Sequence, residues 1–239
     1  MTYRVSINIR CKFVNVAVRE TPKKSRPALS RERIVNAAVA LADTGGVRAL
    51  SMRQIGDHLD VQAMSLYNYV EGKEDLLGAI VDRIFDEIHL DVVGGDWRNS
   101  LRTTALSAHD LFLEHPWACE LVLTPGSVGV SYARLRYINS ILERLRAAGF
   151  SPQGASHGYH ALDSHTLGYT IWELGHRISP DTPDDFVETF VEQLDETMYG
   201  FLIEHAQVHF DDPDDGVDDF TFGLDLILEG LAKLLNNED

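Results

Sequence analysis

A chain of 239 residues, 44% hydrophobic and 24% charged, has the makeup of a soluble globular protein of one or two domains, and no apolar run approaches the roughly 20 residues that span a bilayer. Cys11 and Cys119, its two cysteines, lack metal-type spacing, so reduced thiols in a cytoplasm are expected and a disulfide framework is not. The net charge of −16 is unevenly divided: residues 1–90 hold 13 Lys/Arg against 11 Asp/Glu and residues 91–239 hold 8 against 26, so a polyanionic partner fits at the N-terminal end alone, the plainer alternative being a solvated acidic surface with a basic tail.

Residues 1–29 read as a basic arm without fixed structure. Tyr3, Val5, Ile7, Ile9, Cys11 and Phe13 alternate with polar side chains, but no second strand is available to pair with them. Arg4, Asn8, Arg10 and Lys12 interrupt any apolar leader, so residues 1–17 read as an upstream extension rather than a secretory signal. From Ser30 onward the pattern is helical. Ile34, Ala37, Ala38, Leu41 and Ala42 form one stripe, with Ser30 as cap and Gly45-Gly46 as stop. Ser51-x-x-Gln54 is a capping box for a short second helix ending near Leu59. A third helix is expected over 63–69, broken by Gly72, and a fourth from Lys73 to 90 with Leu76, Leu77, Ile80, Ile84 and Ile88 inward. Beyond Gly94-Gly95, helices are expected over 97–114, 117–123 and 131–148. Gly149 suits the left-handed position after a helix, Ser151 the next cap and Pro152 its first turn, opening a helix to 177. One helix over 186–206, an acidic linker over 211–219 and a last helix over 220–235 complete the chain. Phe220, Phe222, Leu224, Leu226, Ile227, Leu228, Leu231, Leu234 and Leu235 surround most of that last helix, which a subunit interface would cover.

The two short helices between longer amphipathic ones form a helix-turn-helix pattern. Ile55, Leu59, Val61, Leu66 and Val70 are the inward set, which leaves Arg53, Gln62, Ala63, Ser65, Asn68 and Tyr69 to face out. A short polar and aromatic set on the second helix suits a major groove. Arg53 can donate two bonds to a guanine edge, Gln62 or Asn68 can pair with adenine, and Ala63 and Met64 can meet a thymine methyl. The Tyr67 and Tyr69 hydroxyls reach toward phosphate, and Lys73 stands at a helix N-terminus whose dipole favours an anion. The plainer alternative is that both tyrosines simply pack.

The segment Leu50-Ser51-Met52-Arg53-Gln54-Ile55-Gly56, followed by residues 61–77 (VQAMSLYNYVEGKEDLL), resembles the DNA-binding part of TetR-type repressors. Trp97-Arg98-x-x-Leu101-Arg102, Ala147-Ala148-Gly149-Phe150, Thr166-Leu167-Gly168 and residues 220–227 (FTFGLDLI) resemble the C-terminal domain of the tetracycline-repressor branch. The resemblance implies an all-α fold: an N-terminal three-helix helix-turn-helix domain over 30–75 and a C-terminal helical ligand-binding and dimerisation domain over 76–239. It implies a homodimer joined by helices at about 152–177 and 220–235, a double-stranded, pseudo-palindromic DNA operator and a small-molecule effector that releases it. It assigns DNA contact to Arg53, Gln62, Ala63, Met64, Ser65, Tyr67, Asn68, Tyr69 and Lys73. Two positions depart from the family pattern. Asp60 stands where the turn usually has Gly, which Asp tolerates. Ala63 replaces an amide side chain, so the operator is expected to differ from that of the tetracycline repressor.

The drug- and magnesium-binding set of that repressor is not reproduced, because Ser164 and Trp172 occupy its His and carboxylate positions, with His165 and Glu173 one residue later. Phe112, His115, Trp117, Tyr132, His165, Tyr169 and Trp172 are instead expected to line an aromatic ligand pocket, although each suits a core equally well. His157, His160, Asp163 and His165 are metal-type residues, but His165 is turned about 80° from His157 at 100° per residue, so no metal site is expected. No nucleophile–base pair, glycine-rich phosphate loop or paired CxxC occurs, so neither an enzyme nor a cofactor is expected. The competing reading is a small-molecule or metal-dependent helical protein with a vestigial DNA motif.

Overall fold

Short polar side chains set where the helices begin. In the computed structural model, which describes residues 28–90, 95–124, 131–176, 186–211 and 218–236, Ser30 accepts from the Arg33 N–H at 3.2 Å and opens α1 (Arg31–Gly45). Ile34, Ala37, Ala38 and Ala42 are its buried stripe. Ser51 caps α2 (Met52–Leu59) through Gln54 N–H at 3.3 Å and donates to the Gln54 side chain at 2.8 Å. Asp60 then turns the chain at φ 57°, the left-handed value anticipated for it. Residues 1–27 of the expected arm and most of the acidic linker lie outside the described residues.

The third helix is shorter than expected. α3 is Ala63–Leu66, after which Tyr69 N–H bonds Leu66 O at 2.9 Å and Val70 N–H bonds the same carbonyl at 3.1 Å. That tight turn lets Leu66 and Val70 both point inward. α4 (Lys73–Glu87) stops short of 90 because α5 (Trp97–Glu114) captures the following backbone. Thr104 Oγ1 donates to His89 O at 3.0 Å and His89 N–H donates to Ser107 Oγ at 2.9 Å.

α6 (Pro116–Leu123), α7 (Tyr132–Ala147) and α8 (Pro152–His176) follow as anticipated. Ser131 caps α7 through Arg134 N–H, and Ser151 receives Gly154 N–H at 3.1 Å in the first turn of α8. Gly149, at φ 109°, reverses the chain between them so that Phe150 is buried against Trp97. The single helix expected over 186–206 is two: α9 (Phe186–Glu192) and α10 (Glu196–Asp211). Asp195 accepts from Thr197 and Met198 N–H and so starts a new helix where the apolar period runs on. Asp218 caps α11 (Asp219–Leu235) through Thr221 N–H at 3.0 Å.

All regular structure among the described residues is helical. α5 and α11 pack on α8, and α7 on both α4 and α8, around Phe85, Phe112 and Tyr137, whose rings meet edge to face. α4 also packs on α1, so it joins the N-terminal three helices to this core. On α11, Phe220, Leu224, Leu228 and Leu231 are buried while Phe222, Leu226 and Leu234 are exposed. Ile171 and Trp172 on α8 are exposed as well.

Candidate nucleic-acid interface

Burial in the α2–α3 unit divides as the apolar pattern requires. Ile55, Leu66 and Val70 are at most 2% exposed, whereas Met64 is 74%, Tyr67 47% and Tyr69 40% exposed. Gln62, Asn68 and Lys73 are exposed beside them. Arg53 is open to solvent with Asp57 at 3.9 Å, an exposed pair one turn away that leaves its guanidinium able to reach elsewhere. Ala63 and Ser65 are half-buried, because the N-terminal turn of α3 sits directly on α2. A Cβ added to Gly56 would lie 2.9 Å from Val61 O and 3.1 Å from Ala63 N. Only a residue without a side chain permits that approach.

Two side-chain networks missed by sequence reasoning fasten α1 to α4 and the turn after α3 on one hand and to α6 on the other. Arg31 donates to Asp75 through both terminal nitrogens, at 2.8 and 2.6 Å, and also to Tyr69 O at 3.0 Å. Asp75 additionally receives Glu71 N–H at 2.9 Å. The hydrogen bond between them pushes the Arg31 pKa up and the Asp75 pKa down. At the opposite end of α1, Asp43 Oδ1 accepts from Trp117 Nε1 at 2.6 Å and lies 2.8 Å from His115 Nδ1, while Arg48, just beyond the helix, pairs with Glu120 at 2.6 Å. These links are separated by up to 74 residues in sequence and carry no local signal.

The expected aromatic ligand set does not gather in one place. His115 and Trp117 tie α6 to α1, Phe112 is 1% exposed within the core against Phe85, and Tyr132 is 69% exposed at the start of α7. His165, Tyr169 and Trp172 do form a continuous row on α8, with ring centroids 5.8 and 5.4 Å apart. Sequence reading overlooked the two residues that complete this cluster. Phe220 stacks with His109 at 3.8 Å and with His165 at 4.9 Å. His109 bonds Thr170 Oγ1 at 2.8 Å and lies 3.2 Å from Glu173. Burial lowers the His109 pKa, and the Glu173 carboxylate opposes that shift. His157 and His160 face outward, while Asp163 is held by Tyr159 OH and His165 by Phe220 O.

A solvent-facing polar and aromatic segment, carried on two short helices that bury their other side, defines a helix-turn-helix DNA-binding protein. The comparisons agree. Residues 34–80 match the bacterial regulatory proteins of the tetR family, and residues 93–235 match the tetracyclin repressor-like C-terminal domain. The chain belongs to the TetR family of transcriptional regulators. It is 29% identical to the HTH-type transcriptional repressor DrrR1 of Streptomyces coeruleorubidus, over 91% of this chain and 82% of that one. It is 34% identical to an HTH-type transcriptional regulator of Saccharopolyspora erythraea, a match spanning 62% of this chain and 63% of that protein. Its fold is similar to that of ActR from Streptomyces coelicolor in complex with actinorhodin, with a TM-score of 0.70 at 22% identity, over 86% of this chain and 96% of ActR.

Proposed function

We propose that the protein is a cytoplasmic, non-enzymatic repressor that binds a pseudo-palindromic operator as a homodimer and leaves it when a small molecule binds its C-terminal domain. The observation that carries this reading is the exposure of Met64, Tyr67, Asn68 and Tyr69 directly above a fully buried Ile55 and Leu66. Arg53, Gln62, Ala63, Met64, Ser65, Tyr67, Asn68, Tyr69 and Lys73 are the proposed DNA contacts, with residues 30–75 as the DNA-binding domain. The half-buried Ala63 and Ser65 offer less surface than the rest. Two such units placed roughly 34–36 Å apart enter successive major grooves.

The exposed apolar residues Ile171 on α8 and Phe222, Leu226 and Leu234 on α11 supply the dimer face. No helix among the described residues is long and apolar enough to cross a membrane. The effector region proposed is the His165–Tyr169–Trp172 row with His109 and Phe220, and ActR, which shares the fold, binds actinorhodin in its structure. Selection of duplexes from random DNA by the full chain tests the reading, and a two-fold symmetric site is the expected product. On that site Arg53→Ala should cost about 1–3 kcal/mol and relax one base position, and Lys73→Ala should weaken all duplexes alike. Wild-type affinity in both variants removes the proposed docking.

A further inference from the structure

We infer that Arg31 and Asp75 form a positioning clamp for base reading: the pair fixes the turn after α3 against α1 and α4, and Arg31 acts through Asp75 and Tyr69 rather than by touching DNA. This rests on the DNA-binding function proposed above and assigns a role to two residues outside its contact set.

The geometry is a two-pronged fork. Arg31 is the first residue of α1 and Asp75 lies in the first turn of α4, 44 residues away. Both terminal nitrogens of the guanidinium meet the carboxylate, and one also holds the Tyr69 carbonyl. Asp75 in turn receives the Glu71 N–H. The clamp therefore grips the backbone on both sides of Val70, next to Tyr67, Asn68 and Tyr69, whose side chains face solvent. A bidentate Arg–carboxylate pair fixes orientation as well as distance, which a lysine ammonium cannot do. The pair is partly exposed, with side chains 47% and 28% accessible, so its contribution to global stability is small. Its effect falls instead on the placement of the recognition turn, which base contacts require to within a fraction of an ångström.

A phosphate contact is the rival role for an arginine near this face, and the two roles differ in the effect expected of Asp75→Asn. The experiment uses the operator selected by the wild-type chain and compares Arg31→Met, Asp75→Asn, the double variant and Arg31→Lys, each checked for unchanged helix content by circular dichroism. The clamp requires each single variant to lose roughly tenfold or more in operator affinity, comparable to one impaired base contact. The double variant should be no weaker than either single one. Arg31→Lys should fail to restore affinity, and binding to unrelated duplexes and the salt dependence should stay at wild-type values. If Arg31→Met flattens the salt dependence while Asp75→Asn binds as well as or better than wild type, Arg31 is a phosphate ligand and the clamp is wrong. Equal losses on operator and unrelated DNA with reduced helix content mean fold support, which also overturns it, as does wild-type behaviour in all variants. A wild-type chain that enriches no duplex overturns the DNA-binding reading itself, an outcome distinct from the others.

Discussion

Gly56→Ala tests the packing of the helix-turn-helix unit in isolation from DNA. The new Cβ would lie 2.9 Å from Val61 O, 3.1 Å from Ala63 N and 3.3 Å from Ala63 Cα. All three are backbone atoms of the turn and of α3, and Val61 N–H is already bonded to Gly56 O at 2.9 Å, so neither side can rotate away. The overlap falls at the upper end of the ~1–3 kcal/mol that overpacking costs. Alanine regains about 0.8–1 kcal/mol of helix propensity. The net expectation is a loss of about 1–2 kcal/mol, or a fall in Tm of roughly 2–8 °C for a chain of this size. Gly78→Ala in the middle of α4 is the internal control, because a Cβ there meets nothing within 4 Å. It should gain about 0.5–1 kcal/mol and raise Tm. Thermal melts at one fixed protein concentration separate the two. A Gly56→Ala chain that melts with or above wild type refutes the close approach of α2 and α3.

Asp43→Ala leaves the Trp117 indole N–H, which is buried, without its acceptor and should cost about 1–3 kcal/mol in denaturant titration. Arg48→Ala, which breaks a pair whose arginine is largely exposed, should cost less than about 1 kcal/mol. Leu226→Glu on the exposed side of α11 should yield a monomer in sedimentation and abolish operator binding, and a stable dimer would place the interface elsewhere. Burial depresses the His109 pKa below the ordinary value of 6.5. The unfolded chain then takes up protons first, so its contribution to stability is intact above that value and is lost as pH falls from there through the folded value. Tm should drop across that window, and His109→Phe, which keeps a ring over Phe220, should flatten the drop.

Features set within a few residues were readable before the structure. Ser30, Ser51 and Ser151 cap as expected because the donor lies three positions ahead, and Asp60 enters the left-handed region because its own side chain permits it. The face of α3 was readable too, since Leu66 and Val70 span one turn. The end of α4 was not, because Thr104 and Ser107 arrive from another helix to take the His89 backbone. Asp195 carries a local cap signal that marks the break between α9 and α10, a signal the single helix expected over 186–206 did not take into account. The ligand set was the weakest expectation for the same reason as the missed ion pairs. A helical period says which side of a helix is apolar, not which neighbour it meets. Phe112, His115, Trp117 and Tyr132 therefore read alike and end in different surroundings.

α1 is tied at both ends to other elements of the fold. Near its C-terminus, Asp43 holds His115 and Trp117, and α6 also packs against α4, α5 and α8. At its N-terminus, Arg31 holds the Tyr69 carbonyl. The 15 residues of α1 span about 22 Å at 1.5 Å per residue, so a tilt of about 3° imposed at one end displaces the other by about 1 Å. Under the proposed function, an effector alters DNA affinity only by favouring one arrangement of these helices over another. Under that reading, a shift in α8 passed through α6 to Asp43 would reach the recognition turn along α1 as a rigid rod, without any change inside α2 or α3. That route requires both ties to be intact. Asp43→Ala should therefore preserve operator selectivity while weakening release, whereas Arg31→Met should impair selectivity first, a contrast that operator titrations on the two variants would expose.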